Sequence, residues 1–305
     1  MNVMNDSKNK ITFCVNTSQN EKAYITLLLE SLLNGIAVDY HDILIFVDSD
    51  NQGTTEMLVE QKKLFPNLTI IKNNGRPFGY AGNINYMFSK AKTEVVSFLQ
   101  SDMIVCLDYD KKLLSHMADN QILCSTRCEP PLHTQYDNPI TYVRNFGVIP
   151  EEFQYENFLK FSEANINATK LTNYFFAPFT LYKHLWNDIG GHDVSFLKSR
   201  EDSDIALRFA LKGYEMKQCW DAIVYHFTCT SSRGLKWWIA ENKAKEEVRR
   251  KNDAIELERF TKKWGFFAHP SSLREVTPII ASNPEILTKI VVTNPPIDES
   301  KLTFL

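Results

Sequence analysis

No stretch of the 305-residue chain is apolar for the length of a bilayer, and the polar start Met1-Asn2-Val3-Met4-Asn5-Asp6-Ser7-Lys8 has no apolar secretory core. A transmembrane helix and an export signal are therefore not expected, and a cytoplasmic location is. Charge of one sign is also missing. The 34 Lys and Arg set against 37 Asp and Glu leave a net −3, which offers nucleic acid no general basic surface. The six cysteines, Cys14, Cys106, Cys124, Cys128, Cys219 and Cys229, include no CxxC pair and are too sparse for a disulfide framework. They read as buried thiols in a reducing compartment, Cys124 and Cys128 included, rather than as metal ligands. Neither GxxxxGK[ST] nor GxGxxG occurs, which excludes a P-loop and a dinucleotide fingerprint. No internal repeat divides the chain.

What is present is an alternation of short apolar runs with turns and helical patterns, the signature of an α/β fold. Ile11-Thr12-Phe13-Cys14-Val15 reads as a strand, Asn16 to Asn20 as a turn, and Tyr24, Leu27, Leu28, Ser31 and Leu32 as one helix face. The run Ile43 to Val47 ends in Asp48-Ser49-Asp50-Asn51. Leu68 to Ile71 leads into Asn74-Gly75-Arg76-Pro77-Phe78-Gly79-Tyr80-Ala81-Gly82-Asn83-Ile84-Asn85, where small residues allow close backbone approach and Arg76 offers a forked donor. Val95 to Leu99 ends in Gln100-Ser101-Asp102, and Ile223-Val224-Tyr225 ends in His226. Residues 129–170, rich in proline and aromatics, read as an irregular insertion. Residues 173–182 read as a strand or strand pair whose aromatics pack in the core or, alternatively, stack on a sugar face. Residues 235–264 read as a charged helix led by Trp237 and Trp238, packed on the catalytic unit or, alternatively, lying on a membrane surface. The tail from 266 to 305 carries no assignment.

Acids at strand ends and helix starts have two readings. Glu201, Asp202 and Asp204 open a helix after Gly190-Gly191-His192-Asp193, where carboxylates stabilise free amide groups as caps or serve as a base. Asp102 at a strand end is a turn former or a cation ligand, because ligands of open α/β sheets bind at the carboxyl ends of strands. His226 is a satisfied core histidine or a ligand for Mn²⁺ through one neutral nitrogen.

Taken in order, these segments resemble the GT-A-fold glycosyltransferases of family 2 over roughly residues 10 to 234. Lys263-Trp264-Gly265 is similar to a closing motif of many relatives. The resemblance implies a Rossmann-like, mixed and mainly parallel sheet flanked by helices, with a catalytic domain over 1–234 and a C-terminal helical extension and tail over 235–305. It implies a transferase of glycan biosynthesis, cytoplasmic with membrane-peripheral placement as the alternative, moving a sugar from a nucleotide-diphosphate donor to an acceptor hydroxyl on a glycan, a lipid-linked or another molecule. In these roles Thr17, Asp48 or Asp50, Arg76 and Asn85 contact the nucleotide, and Asp102 and His226 hold Mn²⁺ or Mg²⁺. Gly191 and Glu201 face the acceptor, and Asp202 is the base of an inverting displacement. Gln100-Ser101-Asp102 keeps only the last acid of the family's Asp-X-Asp motif. Two alternatives stay open: a retaining transferase of similar fold, and an inactive nucleotide- or glycan-binding protein.

Overall fold

The computed structural model describes residues 9–132, 135–197, 199–228, 243–265 and 290–305, except the side chains of residues 243–246 and 249. Trp237, Trp238, Cys229 and the hydroxyl-rich segment 230–234 lie outside the described residues. Among those described, no helix is long and apolar enough to cross a membrane.

The strands β1 (Ile11–Thr17), β2 (Asp42–Val47), β3 (Leu68–Asn73) and β4 (Val95–Gln100) pair in parallel in the order β3-β2-β1-β4. Parallel strands are covered on both faces, and so each reads as an unbroken apolar run: Ile43 through Val47 are all buried. The helices α1 (Lys22–Gly35), α2 (Thr54–Gln61) and α3 (Gly79–Lys90) connect these strands and cover them. Since β2 and β4 flank β1 on opposite sides, the connections diverge above the carboxyl ends of β1 and β4, and a crevice opens there.

Beyond β4 the sheet becomes mixed. β5 (Met103–Val105), α4 (Tyr109–His116), β6 (Gln121–Glu129), β7 (Thr141–Val143), α5 (Tyr155–Ala164), β8 (Leu171–Asn173), β9 (Phe179–Tyr182), α6 (Lys183–Asp188), α7 (Glu201–Leu211), β10 (Glu215–His226) and α8 (Lys243–Trp264) follow in the chain. The last strand, β11 (Leu302–Phe304), pairs antiparallel with β3, and the sheet order is β11-β3-β2-β1-β4-β9-β6-β10-β5. Mixed pairing with helices on both faces is the expected architecture.

One detail corrects the sequence reading, and a second decides between its alternatives. Residues 129–170 are not irregular throughout, because they hold β7 and α5, where Phe158 is buried and Leu159 and Phe161 pack on the core from one helix face. The prolines that suggested irregularity lie outside those elements. Segment 173–182 is not one strand. Asn173 ends β8, which pairs with β10, whereas β9 pairs with β4 and β6. Phe175, Phe176 and Phe179 are buried, as core packing of these aromatics requires.

Cys14, Cys106, Cys124, Cys128 and Cys219 are buried and free. Burial pushes the Cys124 thiol up to about 12, so the nucleophilic thiolate is suppressed at neutral pH. An alkylating reagent is expected to leave these five untouched in native protein and to modify all of them after unreduced denaturation. Mass spectrometry reads the result, and a disulfide between Cys124 and Cys128 would contradict it.

Candidate active site

The register of β10 assembles the first half of the site. Tyr225 lies opposite Cys128 of β6, and His226 lies opposite Met103 of β5. Glu129 and Asp102, one residue beyond those pairs, therefore flank His226. His226 Nδ1 bonds Glu129 Oε1 at 2.8 Å, and Nε2 stands 3.7 Å from Asp102 Oδ1. The amide of Phe227 donates to Asp102 O at 3.1 Å, which ties the two strand ends together. An ionised carboxylate only accepts, so Glu129 places the imidazole proton on Nδ1 and leaves the Nε2 lone pair toward Asp102. Carboxylate-backed imidazoles are common among metal-ligating histidines. The 3.7 Å gap is less than twice a metal–oxygen bond of about 2.1 Å, so one small divalent cation fits between the two side chains. Among the described residues no three His, Cys, Asp or Glu side chains form a cage. Glu129 lies 97 residues from His226 in sequence, and no local pattern marks it.

The carboxyl ends of β1, β2 and β3 form the second part. Thr17 is buried at the end of β1, and its carbonyl accepts from the Asp48 amide at 2.9 Å. The two acids after β2 differ in what they have left to offer. Asp50 Oδ1 accepts from Gln52 N and Thr54 N, and Oδ2 from Thr55 N and Oγ1, which fills its four acceptor positions. Burial alone would push the Asp50 carboxyl up, but those bonds to Thr55, Gln52 and Thr54 outweigh it and hold it well below the usual carboxylate range. Asp50 is thus the cap of α2. Asp48 takes Phe78 N at 2.8 Å and Asn73 Nδ2 at 3.1 Å on Oδ1, and Gly79 N at 2.9 Å on Oδ2, so Oδ2 keeps one acceptor position. Arg76 is exposed on the loop that Asp48 holds. Asn85 is buried and its amide reaches the acceptor-side loop rather than the nucleotide turn: Nδ2 donates to His192 O and Oδ1 accepts from His192 N, at 2.8 and 2.7 Å. It positions the Gly-Gly turn instead. Glu21, which no sequence pattern singled out, is buried and accepts from Ser18 N at 2.8 Å and Ser101 Oγ at 2.7 Å. It links the turn after β1 to the loop that carries Asp102.

The acceptor side is built on α7. Asp204 and Arg208, one helical turn apart, form a buried pair through Arg208 Nη2 and Nε at 2.8 and 3.0 Å. The other amino group of Arg208 donates to Ile189 O and Gly191 O, at 2.6 and 2.5 Å. Asp204 Oδ1 also accepts from Trp264 Nε1 at 2.9 Å and pairs with Lys263 at 2.7 Å, so the closing Lys-Trp-Gly segment braces the same loop. Gly191 is required by both backbone and space: its φ is +71°, and a Cβ there would stand 2.5 Å from Asn85 Oδ1.

Glu201 and Asp202 contrast with Asp204. Both side chains are half-buried, yet Glu201 Oε2 and Asp202 Oδ1 are shielded from water and accept no hydrogen bond among the described residues. Asp202 Oδ1 thus caps no amide group of α7, and the N-cap residue Arg200 supplies no side-chain cap either. Burial, followed by the charge of Asp202, pushes Glu201 up to about 8; burial also raises Asp202, against the lowering charge of Arg127. Arg127 joins the two halves of the site. Its guanidinium lies 4.3 Å over the Phe176 ring, donates to Ala177 O at 2.6 Å, and stands 3.5 Å from Glu129. The Tyr80 hydroxyl, buried without a partner, feels Asp202, Glu201 and Arg127. Carboxylates with raised pKa values and a shielded oxygen left without a hydrogen bond are candidates for a functional site. Among the described residues four non-glycines have left-handed backbone: Asn20 after β1, Asp108 before α4, Arg200 before α7 and Thr228 after β10.

A family model described as glycosyl transferase family 2 matches residues 15–186, more than half of the chain. Direct sequence comparison with curated proteins gives no match. Among solved structures, a mannosyltransferase from Pyrobaculum calidifontis, in complex with GDP-Man and Mn²⁺, superposes with a TM-score of 0.53 at 17% identity. The match covers 92% of this chain and 72% of that one. GalNAc-T7 with UDP, GalNAc and Mn²⁺ superposes at 0.53 and 12% identity over 71% of this chain, and S. aureus TarS at 0.51 and 17% over 85%. The chain spans less than half the length of these last two, 43% and 44%. At such identities the likeness is one of fold.

Proposed function

Because the chain belongs to glycosyltransferase family 2, we propose that it transfers a sugar from a nucleotide-diphosphate donor to an acceptor hydroxyl, with inversion and with a divalent cation. The observation that carries this reading is the contrast along α7: Asp204 is fully paired, whereas Asp202, two residues earlier, presents an unpartnered, shielded carboxylate oxygen beside Arg127 and Tyr80. Asp202 is the base. It takes the acceptor proton as the new bond to the anomeric carbon forms, since an alcohol is too weak an acid to lose that proton beforehand. Glu201 orients the acceptor above the turn that Gly191 shapes.

Asp102 and His226 would hold Mn²⁺ or Mg²⁺, with diphosphate oxygens completing the coordination that two side chains leave open. Bound there, the cation supplies neutralisation of the departing diphosphate. On the donor side Asp48 has the unused acceptor position that a ribose hydroxyl or base N–H needs, and Asp50 has none. Thr17 lines the nucleotide turn and Arg76 offers its fork to phosphate. The thiols' free state accords with a reducing location, and the described part of α8 packs on α7 through Lys263 and Trp264 rather than standing apart.

The direct test is release of nucleoside diphosphate from UDP- and GDP-sugars with and without Mn²⁺. Absence of metal-stimulated release and of nucleotide binding would leave a binding protein or less. Asp102→Ala and His226→Ala are expected to weaken Mn²⁺-dependent nucleotide binding with little change in melting temperature. Glu129→Ala is expected to lower metal affinity about tenfold or more through loss of the Nδ1 partner. Calorimetry of nucleotide binding at graded Mn²⁺ reads all three, and unchanged Mn²⁺ dependence in Asp102→Ala would remove the metal assignment.

A further inference from the structure

Residues 290–305 were the least legible part of the sequence, and they touch both substrate loops. On the acceptor side the Val194 amide donates to Thr293 O at 2.8 Å, Val292 packs over Gly190, and Ile290 packs on the cluster of Phe196, Leu207, Phe260 and Trp264. Farther along, Ile297 packs against the main core and Glu299 pairs with Lys90 of α3 at 2.7 Å. On the donor side the Asn74 amide donates to Lys301 O at 2.8 Å. The Asn74 side chain donates to the same carbonyl at 3.2 Å and to Thr303 Oγ1 at 2.9 Å. β11 then pairs with β3 from Asn73 to Ile71.

Asn74 is one residue from Asn73, whose side chain bonds Asp48 Oδ1 and Arg76 O, at 3.1 and 2.9 Å. Hydrogen bonds on either side of the Asn73–Asn74 peptide bond therefore connect Lys301 and Thr303 to Asp48, the acid with an acceptor position left for the nucleotide. We infer that residues 290–305 form a strap that positions the donor loop Asn73–Arg76 relative to the acceptor loop Gly190–Val194, with Asn74 as the positioning residue on the donor side. The inference rests on the transferase reading. The physical ground is that exposed loops move unless their backbone groups are held, and here one continuous segment holds the backbones of both loops. Nucleotide bound at Asp48 and Arg76 restrains the donor loop, and the strap carries that restraint to Val194. Coupling of this kind needs one element in contact with both sites, which residues 290–305 supply.

The test uses the full chain, Asn74→Ala and a chain stopped after Ile297, with UDP and GDP in the presence of Mn²⁺. Asn74 is exposed, so its substitution leaves the core intact. Losing its two side-chain hydrogen bonds is expected to raise the nucleotide Kd about threefold to tenfold with full stoichiometry. A merely structural role would lower the bound fraction and leave Kd where it was. In hydrogen exchange, nucleotide is expected to slow the amides of Gly190–Val194 in the full chain and to leave them unchanged in the shortened one. Equal Kd in all three proteins, or equal protection of Gly190–Val194 with and without β11, overturns the strap. Should the shortened chain fail to fold, Asn74→Ala decides alone. If the full chain binds neither nucleotide, the transferase reading falls and this inference with it.

Discussion

Asp202→Asn is expected to lower kcat by about two to four orders of magnitude, the range that a general base supplies. The substitution keeps the size of the side chain and an acceptor oxygen at the helix start, and removes only the capacity to take a proton. Its effect on stability should run the other way. Carboxyls whose folded pKa is raised hold their protons after the unfolded chain has released them, so the stability they contribute is present below the unfolded value of about 4 and is lost as pH rises through the folded values. For Glu201 that upper bound is about 8. The Asn variant has no such carboxylate at 202, and its melting temperature without nucleotide should therefore match the wild type below the ordinary carboxylate range and exceed it as pH rises above that range. Activity follows the same titration with the opposite consequence: kcat/KM of the wild type should rise with pH through a limb above the ordinary carboxylate range. Steady-state kinetics and thermal melts across pH 4 to 9 measure both. Retained turnover in Asp202→Asn, or a melting temperature that drops at every pH, would return this residue to the role of a cap.

Asp204→Ala reverses the pattern and has the largest expected effect on stability. Asp204 and Arg208 are buried, and Asp204 also serves Lys263 and Trp264. Deleting the carboxylate strands the Arg208 cation in a site with little water and leaves Lys263 paired with Asp193 alone, and breaking a buried pair in this way costs about 3 to 5 kcal/mol. Arg208 would then be free to leave Ile189 O and Gly191 O, which loosens the turn that Asn85 holds from the other side. Asp204→Asn keeps the acceptor for Trp264 and should lose part of that stability. Urea unfolding followed by tryptophan fluorescence gives the difference directly. A loss within about 0.5 kcal/mol, the size of an ordinary surface substitution, would show that the brace is dispensable. Together the two variants separate function from structure within a single helical turn: one stops turnover and spares the fold, the other weakens the fold.

The sequence by itself determined what depends on neighbours along the chain. The apolar runs 11–15, 43–47, 68–71 and 95–99 are strands because parallel strands buried on both faces need no polar alternation. The acids and glycines that follow them fall at the carboxyl ends because turns and helix starts select those residues. Asp102 and His226 were legible as strand ends for the same reason. Tertiary structure decided which of two similar residues is spent and which remains available. Asp48 and Asp50 look alike in the sequence, as do Asp202 and Asp204, and only the hydrogen bonds that fill Asp50 and Asp204 tell them apart. Asn85 carried the pattern of a donor contact, yet its amide bonds the backbone of His192, 107 residues away, through both its nitrogen and its oxygen. Glu129, Arg127, Tyr80 and Glu21 were invisible because their partners lie on other strands and loops, and no local period encodes a cross-sheet register. The segment 290–305 had no pattern to read at all, since its contacts are with distant parts of the chain, among them the edge of β3 that β11 covers.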